Sequence, residues 1–215
     1  MVLGLTGGYC SGKNAVAAIL EQKGFTCFDI DELGHEALGL EESMEAIAWR
    51  FGPTVIRPDG SVDRRALADL VFGDAEGLAD LEAIIHPAVY RLLKPRLAAA
   101  LAAGHEACIN AALLYRMPEA TGCAAIMEVL APPRVRIARG MARDGLTARQ
   151  VKARIKEQRP LWKRRAESGR PVVFLRNCGG EDRLAALVEA ALEDARAAAA
   201  AARPSSRRPS GSPDK

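Results

Sequence analysis

The chain predicts a three-layer α/β/α sandwich with about five parallel strands. Three observations carry that prediction. The first thirty residues read strand, helix, strand. Three further short apolar runs, at residues 107–110, 124–130 and 171–175, follow as strand candidates among helix-patterned segments. Apolar residues make up 49% of the 215 positions and charged residues 27%, enough for one core-bearing domain and too apolar for wholesale disorder.

Each element has a local reason. Residues 2–6 are an apolar run ending in Gly7 and Gly8, which reads as a buried strand entering a loop. From Gly12 the pattern turns helical, with Val16, Ile19 and Leu20 on one face, and Gly24 stops it. Residues 25–30 return to strand character and end in Asp29-Ile30-Asp31. A βαβ unit of this kind has a right-handed crossover. Residues 32–103 are mainly helical, too long a stretch for a simple crossover, and predict an inserted helical subdomain. Within it Asp63 is placed to cap a helix carrying Leu67, Leu70 and Val71. Leu78, Leu81, Ile84 and Ile85 form a stripe that Pro87 is expected to break or restart before Val89, Leu92, Leu93 and Leu97.

Pro132 and Pro133 precede a basic helix from about Arg134, and Gly145 separates it from a second basic helix with Thr147 as its N-cap. A final amphipathic helix spans residues 181–202. Residues 203–215 offer nothing to bury and are expected to be disordered.

The formal net charge of +3 hides an asymmetry. Residues 134–170 hold thirteen Lys/Arg against three Asp/Glu, whereas residues 1–133 hold ten against eighteen. A basic segment on an acidic body points to an anionic ligand, a polyphosphate or a nucleic acid. No apolar run approaches a membrane span, no secretory leader is visible, and five cysteines without a C-x-x-C pair suit a reducing cytoplasm. The histidines form no metal-ligand pattern.

Residues 7–14, GGYCSGKN, fit G-x-x-x-x-G-K after a strand and at the start of a helix, the context in which that spacing means a phosphate loop. Successive backbone N–H groups and the positive helix end surround the β-phosphate, and Lys13 reaches the β- and γ-phosphates. Asn14 stands where Ser or Thr commonly ligates magnesium, and its amide oxygen is still a hard ligand. Asp29 and Asp31 share a face if the strand extends that far, and a turn at Ile30 separates them. One can serve as base toward an attacking hydroxyl while the other contacts metal or its water; the plainer reading has Asp31 cap the next helix.

GLTGGYCSGKN followed by FDIDELGHEAL resembles the dephospho-CoA kinase family, whose usual pattern is GLTGGIGSGKST with a D-x-D strand end one helix later. RFG with DRRAL, LEAIIHP, ALLY, MARDGLT, R-I-x-x-Q and a late N-x-G match in order, so the similarity covers about residues 2–192. The resemblance implies a P-loop NTPase fold with strand order 2-3-1-4-5, and transfer of phosphate from ATP to the ribose 3′-hydroxyl of dephospho-CoA. It divides one domain, residues 1–202, into a core (1–31, 104–138, 171–202), a helical acceptor subdomain (about 32–103) and a basic lid (about 139–170). Asp31, Lys13, Arg139 and Arg143 are the catalytic set that it implies. ATP contacts fall on Gly8, Tyr9, Cys10, Ser11, Gly12, Lys13, Asn14 and Ala15 of the loop, on Arg139, and on Asn177 and Gly179 near the adenine. The acceptor meets Asp31, His86, Leu113 and Leu114, while Asn14 and Asp29 hold Mg2+.

The chain departs from the pattern at Cys10 for a glycine, Asn14 for the hydroxyl ligand, Asn110 for an aspartate, and Ala112 for a proline. Asn14 and Asn110 together suggest a more neutral magnesium site. Arg149, Arg154, Arg159, Lys163, Arg164 and Arg165 cannot all touch one nucleotide, so most of them are expected to be solvated, and Trp162 to make a hydrophobic hinge contact. The resemblance implies ATP and dephospho-CoA as partners, and neither nucleic acid nor a membrane is expected. The alternatives are another small-molecule P-loop kinase, or a nucleotide- or nucleic-acid-binding protein without turnover.

Overall fold

Val2–Gly7 (β1), Phe25–Asp29 (β2), Glu106–Asn110 (β3), Ala125–Leu130 (β4) and Val172–Arg176 (β5) form one parallel sheet in the order β2-β3-β1-β4-β5. The computed structural model describes residues 1–202, so the expectation for the tail lies outside the described residues. β1 is central, flanked by β3 and β4, and Leu3, Leu5 and Thr6 have no exposure. A strand covered on both faces needs no polar alternation, which explains its continuous apolar run.

One face of the sheet packs Leu3, Leu5, Met127 and Val129 against Lys13–Gln22 (α1) and Glu181–Ala201 (α8). The other face packs Ile109 and Ile126 against Ile30–Ala37 (α2) and Ala75–Ala102 (α5). Between α2 and α5 lie Glu41–Phe51 (α3) and Arg64–Val71 (α4), which gather Ile47, Phe51, Val55, Val62 and Leu67 into a separate apolar cluster. Pro133–Asp144 (α6) and Ala148–Glu157 (α7) carry the basic segment, followed by a 3-10 stretch over Arg159–Ser168 that periodicity does not reveal.

Several boundaries obey the expected local chemistry. Asp63 caps α4 by accepting from Arg65 N and Ala66 N, at 3.0 and 3.1 Å. Thr147 caps α7 in a reciprocal pair with Gln150, and Gly145 closes α6 in the left-handed conformation.

Two expectations are corrected. α5 does not break at Pro87 but runs through both Pro87 and Pro95. An interior proline costs about 3 kcal/mol. Burial of Val89 and Leu93 returns a comparable amount at roughly 1.5–3 kcal/mol per side chain. The second correction is at the end of β2. The strand stops at Asp29 and α2 begins at Ile30, so of the two expected arrangements the one with a turn at Ile30 separating the carboxylates is formed, and the correction concerns the cap. Asp29, and not Asp31, is the helix cap, because its carboxylate accepts from Asp31 N at 2.9 Å and Glu32 N at 3.4 Å.

Candidate active site

In the order β2-β3-β1-β4-β5 the chain reverses direction of build between β1 and β3, and the carboxyl ends of those strands open a crevice. The loop from β1 to α1 lies there. Gly12 has φ +96°, and a Cβ on it would run into Asn177 Nδ2, so glycine is required twice over. No side chain caps α1, and its first N–H groups are left to an anionic ligand. They face a cavity of about 420 Å³ lined by residues 7–15 of the loop with Asp31, Ala112, Arg139, Arg143 and Gln158. Cys10, at φ +58°, is the only non-glycine with positive φ among the described residues.

Lys13 opens α1 and its Nζ donates to Asn110 Oδ1. Burial pushes the Lys13 pKa down, against the opposing pull of Asp29 and Asp31. The register that pairs Asp29 with Asn110 across β2 and β3 brings the amide to the carboxylate. Asn110 Nδ2 donates to Asp29 Oδ2 at 2.9 Å and to Asn14 Oδ1 at 3.5 Å. One neutral side chain thus links the lysine, the aspartate and the asparagine. Asp31 is different: it is exposed, and its carboxylate accepts no hydrogen bond among the described residues.

Asp31 also lines a second cavity of about 650 Å³, mostly apolar and walled by α2, α4 and α5, with His86 and Leu113 on its lining. Leu114 does not reach it. It is wholly buried in the core beneath Gly4, where an added Cβ would lie 2.8 Å from its Cδ2. Arg64 and Arg116 line the same cavity and were not singled out from the sequence. Arg116 pairs with Glu82 at 3.0 Å. Arg64 lies within the DRRAL match and Arg116 directly follows ALLY, so the signal for both was present in the matched motifs.

The basic segment fastens the loop from outside. Arg139 Nη1 donates to Ser11 O at 3.1 Å, and its Nη2 to Asn177 Oδ1 at 3.2 Å. Arg136, one turn earlier on α6, donates from Nε to Tyr9 O at 2.7 Å, and burial lowers its pKa. Gln158 Oε1 accepts from Tyr9 N at 2.6 Å. Arg136 was missed as a site residue, although its spacing of three from Arg139 puts both on one helix face. Asn177 is buried behind the loop, donating to Ser11 O at 2.9 Å, and neither it nor Gly179 lines the phosphate cavity.

Arg165 is one of the lid cations that is not left to solvent. Its guanidinium donates to both oxygens of Glu128, each at 2.7 Å, and Glu128 is 1% exposed in β4. Tyr115 OH donates to the same carboxylate at 2.9 Å, and burial, then Glu128, drive the Tyr115 pKa strongly upward. Trp162 meets the Tyr115 ring edge-on at 6.2 Å, a hydrophobic contact.

No trio of His, Cys, Asp or Glu among the described residues could cage a metal ion. Asn14 Oδ1 and Asp29 Oδ2 instead converge on one amide, with Asp31 nearby on the cavity lining. Such a set of few hard oxygens fits a small divalent cation that arrives with phosphates and keeps water ligands.

A family model described as dephospho-CoA kinase matches residues 1–179. The dephospho-CoA kinase of Anaeromyxobacter dehalogenans is 36% identical over 197 residues, covering 91% of this chain and 92% of that protein. That of Moorella thermoacetica is 40% identical over 161 residues, 73% and 76% of the two chains. The crystal structure of TT1252 from Thermus thermophilus superposes with a TM-score of 0.73 at 34% identity, covering 90% and 97%. A dephospho-CoA kinase from Campylobacter jejuni, 17% identical, shares the fold with a TM-score of 0.58.

Proposed function

The chain belongs to the dephospho-CoA kinase family, whose reaction is ATP-dependent phosphorylation of dephospho-CoA to coenzyme A, and from that premise we propose how its own residues divide the work. The carrying observation is that Asp31, alone among the described residues, lines both the phosphate cavity and the apolar cavity. A transferred phosphoryl group must cross at that junction.

Asp31 takes the proton of the ribose 3′-hydroxyl as the oxygen attacks. Its carboxylate suits the task because no hydrogen bond from the described residues occupies it. Positioning and charge neutralisation dominate phosphoryl transfer. Lys13 and Arg143 supply positive charge to the phosphates, and the uncapped amides of α1 cradle them. Arg139 joins them from the cavity wall, while its bond to Ser11 O holds the loop in shape. Asn177 acts as a support of that loop, with the 2.9 Å bond to Ser11 O as the reason.

The helices α2 to α5 form the acceptor subdomain, where Arg64 and Arg116 neutralise the acceptor's own phosphates. The segment over residues 139–170 is the lid, anchored at its far end through Arg165 and Glu128. The family's use of ATP requires a divalent metal, and we assign it as Mg2+, held by Asn14 and Asp29 with the phosphates. Bound there, such a cation neutralises phosphate charge. Five cysteines without a C-x-x-C pair support a cytoplasmic setting. No helix among the described residues is long and apolar enough to cross a membrane.

The test is incubation of the purified protein with MgATP and dephospho-CoA, reading coenzyme A and ADP by mass spectrometry. Coenzyme A is expected in step with ADP. Asp31→Asn should lose on the order of 10²–10⁴ in kcat with ATP binding retained. Full activity of that variant would remove Asp31 from its role.

A further inference from the structure

The side chain of Tyr9 leaves the phosphate loop and enters the basic segment. Its ring centroid lies 5.3 Å from Arg143 Cζ and 5.4 Å from Arg154 Cζ. Its hydroxyl hydrogen-bonds to Asp144 Oδ2 and receives Arg154 Nη1 at 3.4 Å. Asp144 in turn accepts from Arg143 Nε at 2.7 Å and Nη2 at 3.0 Å, and lies 3.7 Å from Arg154. Four side chains from the loop, α6 and α7 thus make one closed set. Arg143 is at the same time part of the lining of the phosphate cavity.

Left alone, these two guanidinium groups would be poor phosphate binders. Their side chains are 62% and 51% exposed, and ordering a free arginine forfeits rotamer entropy each time a ligand binds. Two like charges on adjacent helices also repel. The aromatic face and the single carboxylate answer both problems, since each attracts a cation and together they restrict where it can sit. The backbone of Tyr9 cannot drift from this arrangement. Gln158 accepts from its N–H at 2.6 Å and Arg136 donates to its carbonyl at 2.7 Å. Gly140 leaves the ring its space: a Cβ there would stand 3.0 Å from Tyr9 Cε1.

We propose that Tyr9, with Asp144, is a positioning residue for ATP use, holding Arg143 on the phosphate cavity with Arg154 behind it so that a polyphosphate meets them already ordered. The gain is preorganisation, with the ordering cost met before the ligand arrives. The device rests on the proposed kinase reading for its purpose, but its binding consequence is separable from turnover.

The experiment is calorimetric titration of ATP into the full chain and into Tyr9→Leu, Tyr9→Phe, Arg154→Met and the double variant Tyr9→Leu/Arg154→Met, with steady-state kinetics beside it. Tyr9→Leu should raise the Kd and KM for ATP roughly tenfold, with a smaller fall in kcat because Arg143 keeps its charge but loses its fixed position, the result of losing two cation–π contacts and two charged hydrogen bonds. Tyr9→Phe keeps the ring and should lose only about two- to threefold. The double variant should be little worse than Tyr9→Leu, because Arg154 acts through the ring. Single effects that multiply in the double variant, or an unchanged Kd in Tyr9→Leu, overturn the proposal. Should Tyr9→Leu fail to fold, Asp144→Asn with Tyr9→Phe tests the same hydroxyl link, and unaltered ATP affinity in both overturns it. A wild-type chain that binds ATP but makes no coenzyme A defeats the proposed function, and the titrations still decide the role of Tyr9.

Discussion

Asn110 Nδ2 donates to Asp29 Oδ2 at 2.9 Å, and the same amide's oxygen receives Lys13 Nζ. A neutral residue therefore stands between an anion and a cation. The carbonyl oxygen is needed by an ammonium largely removed from water, and the NH2 group by a carboxylate already engaged in capping α2.

Asn110→Ala strips both partners at once. It is expected to destabilise the fold by about 2–3 kcal/mol, the scale of hydrogen bonds to charged groups left unmade. Urea unfolding measures it, and a loss under about 0.5 kcal/mol would mean that water replaces the amide freely. Asn110→Asp puts a second carboxylate beside Asp29, so its melting temperature should rise more on adding MgCl2 than that of the wild type.

Lys13 gives a pH dependence of definite sign. Its folded pKa is lowered by burial, so the unfolded chain binds the proton more readily in the window just below the ordinary lysine value. Stability from this group therefore rises as pH climbs through that alkaline window, the reverse of a lysine that gains a partner. Lys13→Met should melt higher than wild type at neutral pH, lose that advantage above the window, and be inactive. Parallel melting curves from neutral to alkaline pH would contradict the assignment.

Cys10 holds a left-handed backbone at φ +58°, a conformation costing an L-residue roughly 1–2 kcal/mol. Glycine removes the cost but loses about 0.4–1 kcal/mol through a more flexible unfolded chain. Cys10→Gly should accordingly stabilise the protein by about 0.5–1 kcal/mol, seen as a higher urea midpoint. A lower midpoint would show that the thiol contributes packing that outweighs the backbone.

Arg165→Met leaves the buried Glu128 carboxylate without its cation. A loss of about 3 kcal/mol is expected on the scale of broken buried pairs. Adding Glu128→Leu to that variant should recover at least half of the loss, since an apolar replacement of both partners removes the stranded charge. Equal stability of the single and double variants would show that Glu128 is hydrated without Arg165.

Much of this molecule follows from short-range physics that is written along the chain. The phosphate loop declares itself because Gly7, Gly12 and Lys13 fall within seven consecutive residues between a strand and a helix. Asp63 and Thr147 announce helix starts because a cap is a contact over two or three positions. Pro87 misled for the complementary reason: its local penalty is real, but burial of Val89 and Leu93 against distant residues offsets a comparable amount.

The division of labour between Asp29 and Asp31 needed the tertiary structure. It turns on the register that sets Asp29 opposite Asn110, a partner 81 positions away. Asn177 reaches Ser11 across 166 positions, Arg165 reaches Glu128 across 37, and Tyr9 reaches Asp144 across 135. Periodicity and turn chemistry act over a few residues and so determine which elements form. Which side chains then meet depends on strand order, register and the burial that excludes water, and those are properties of the assembled sheet.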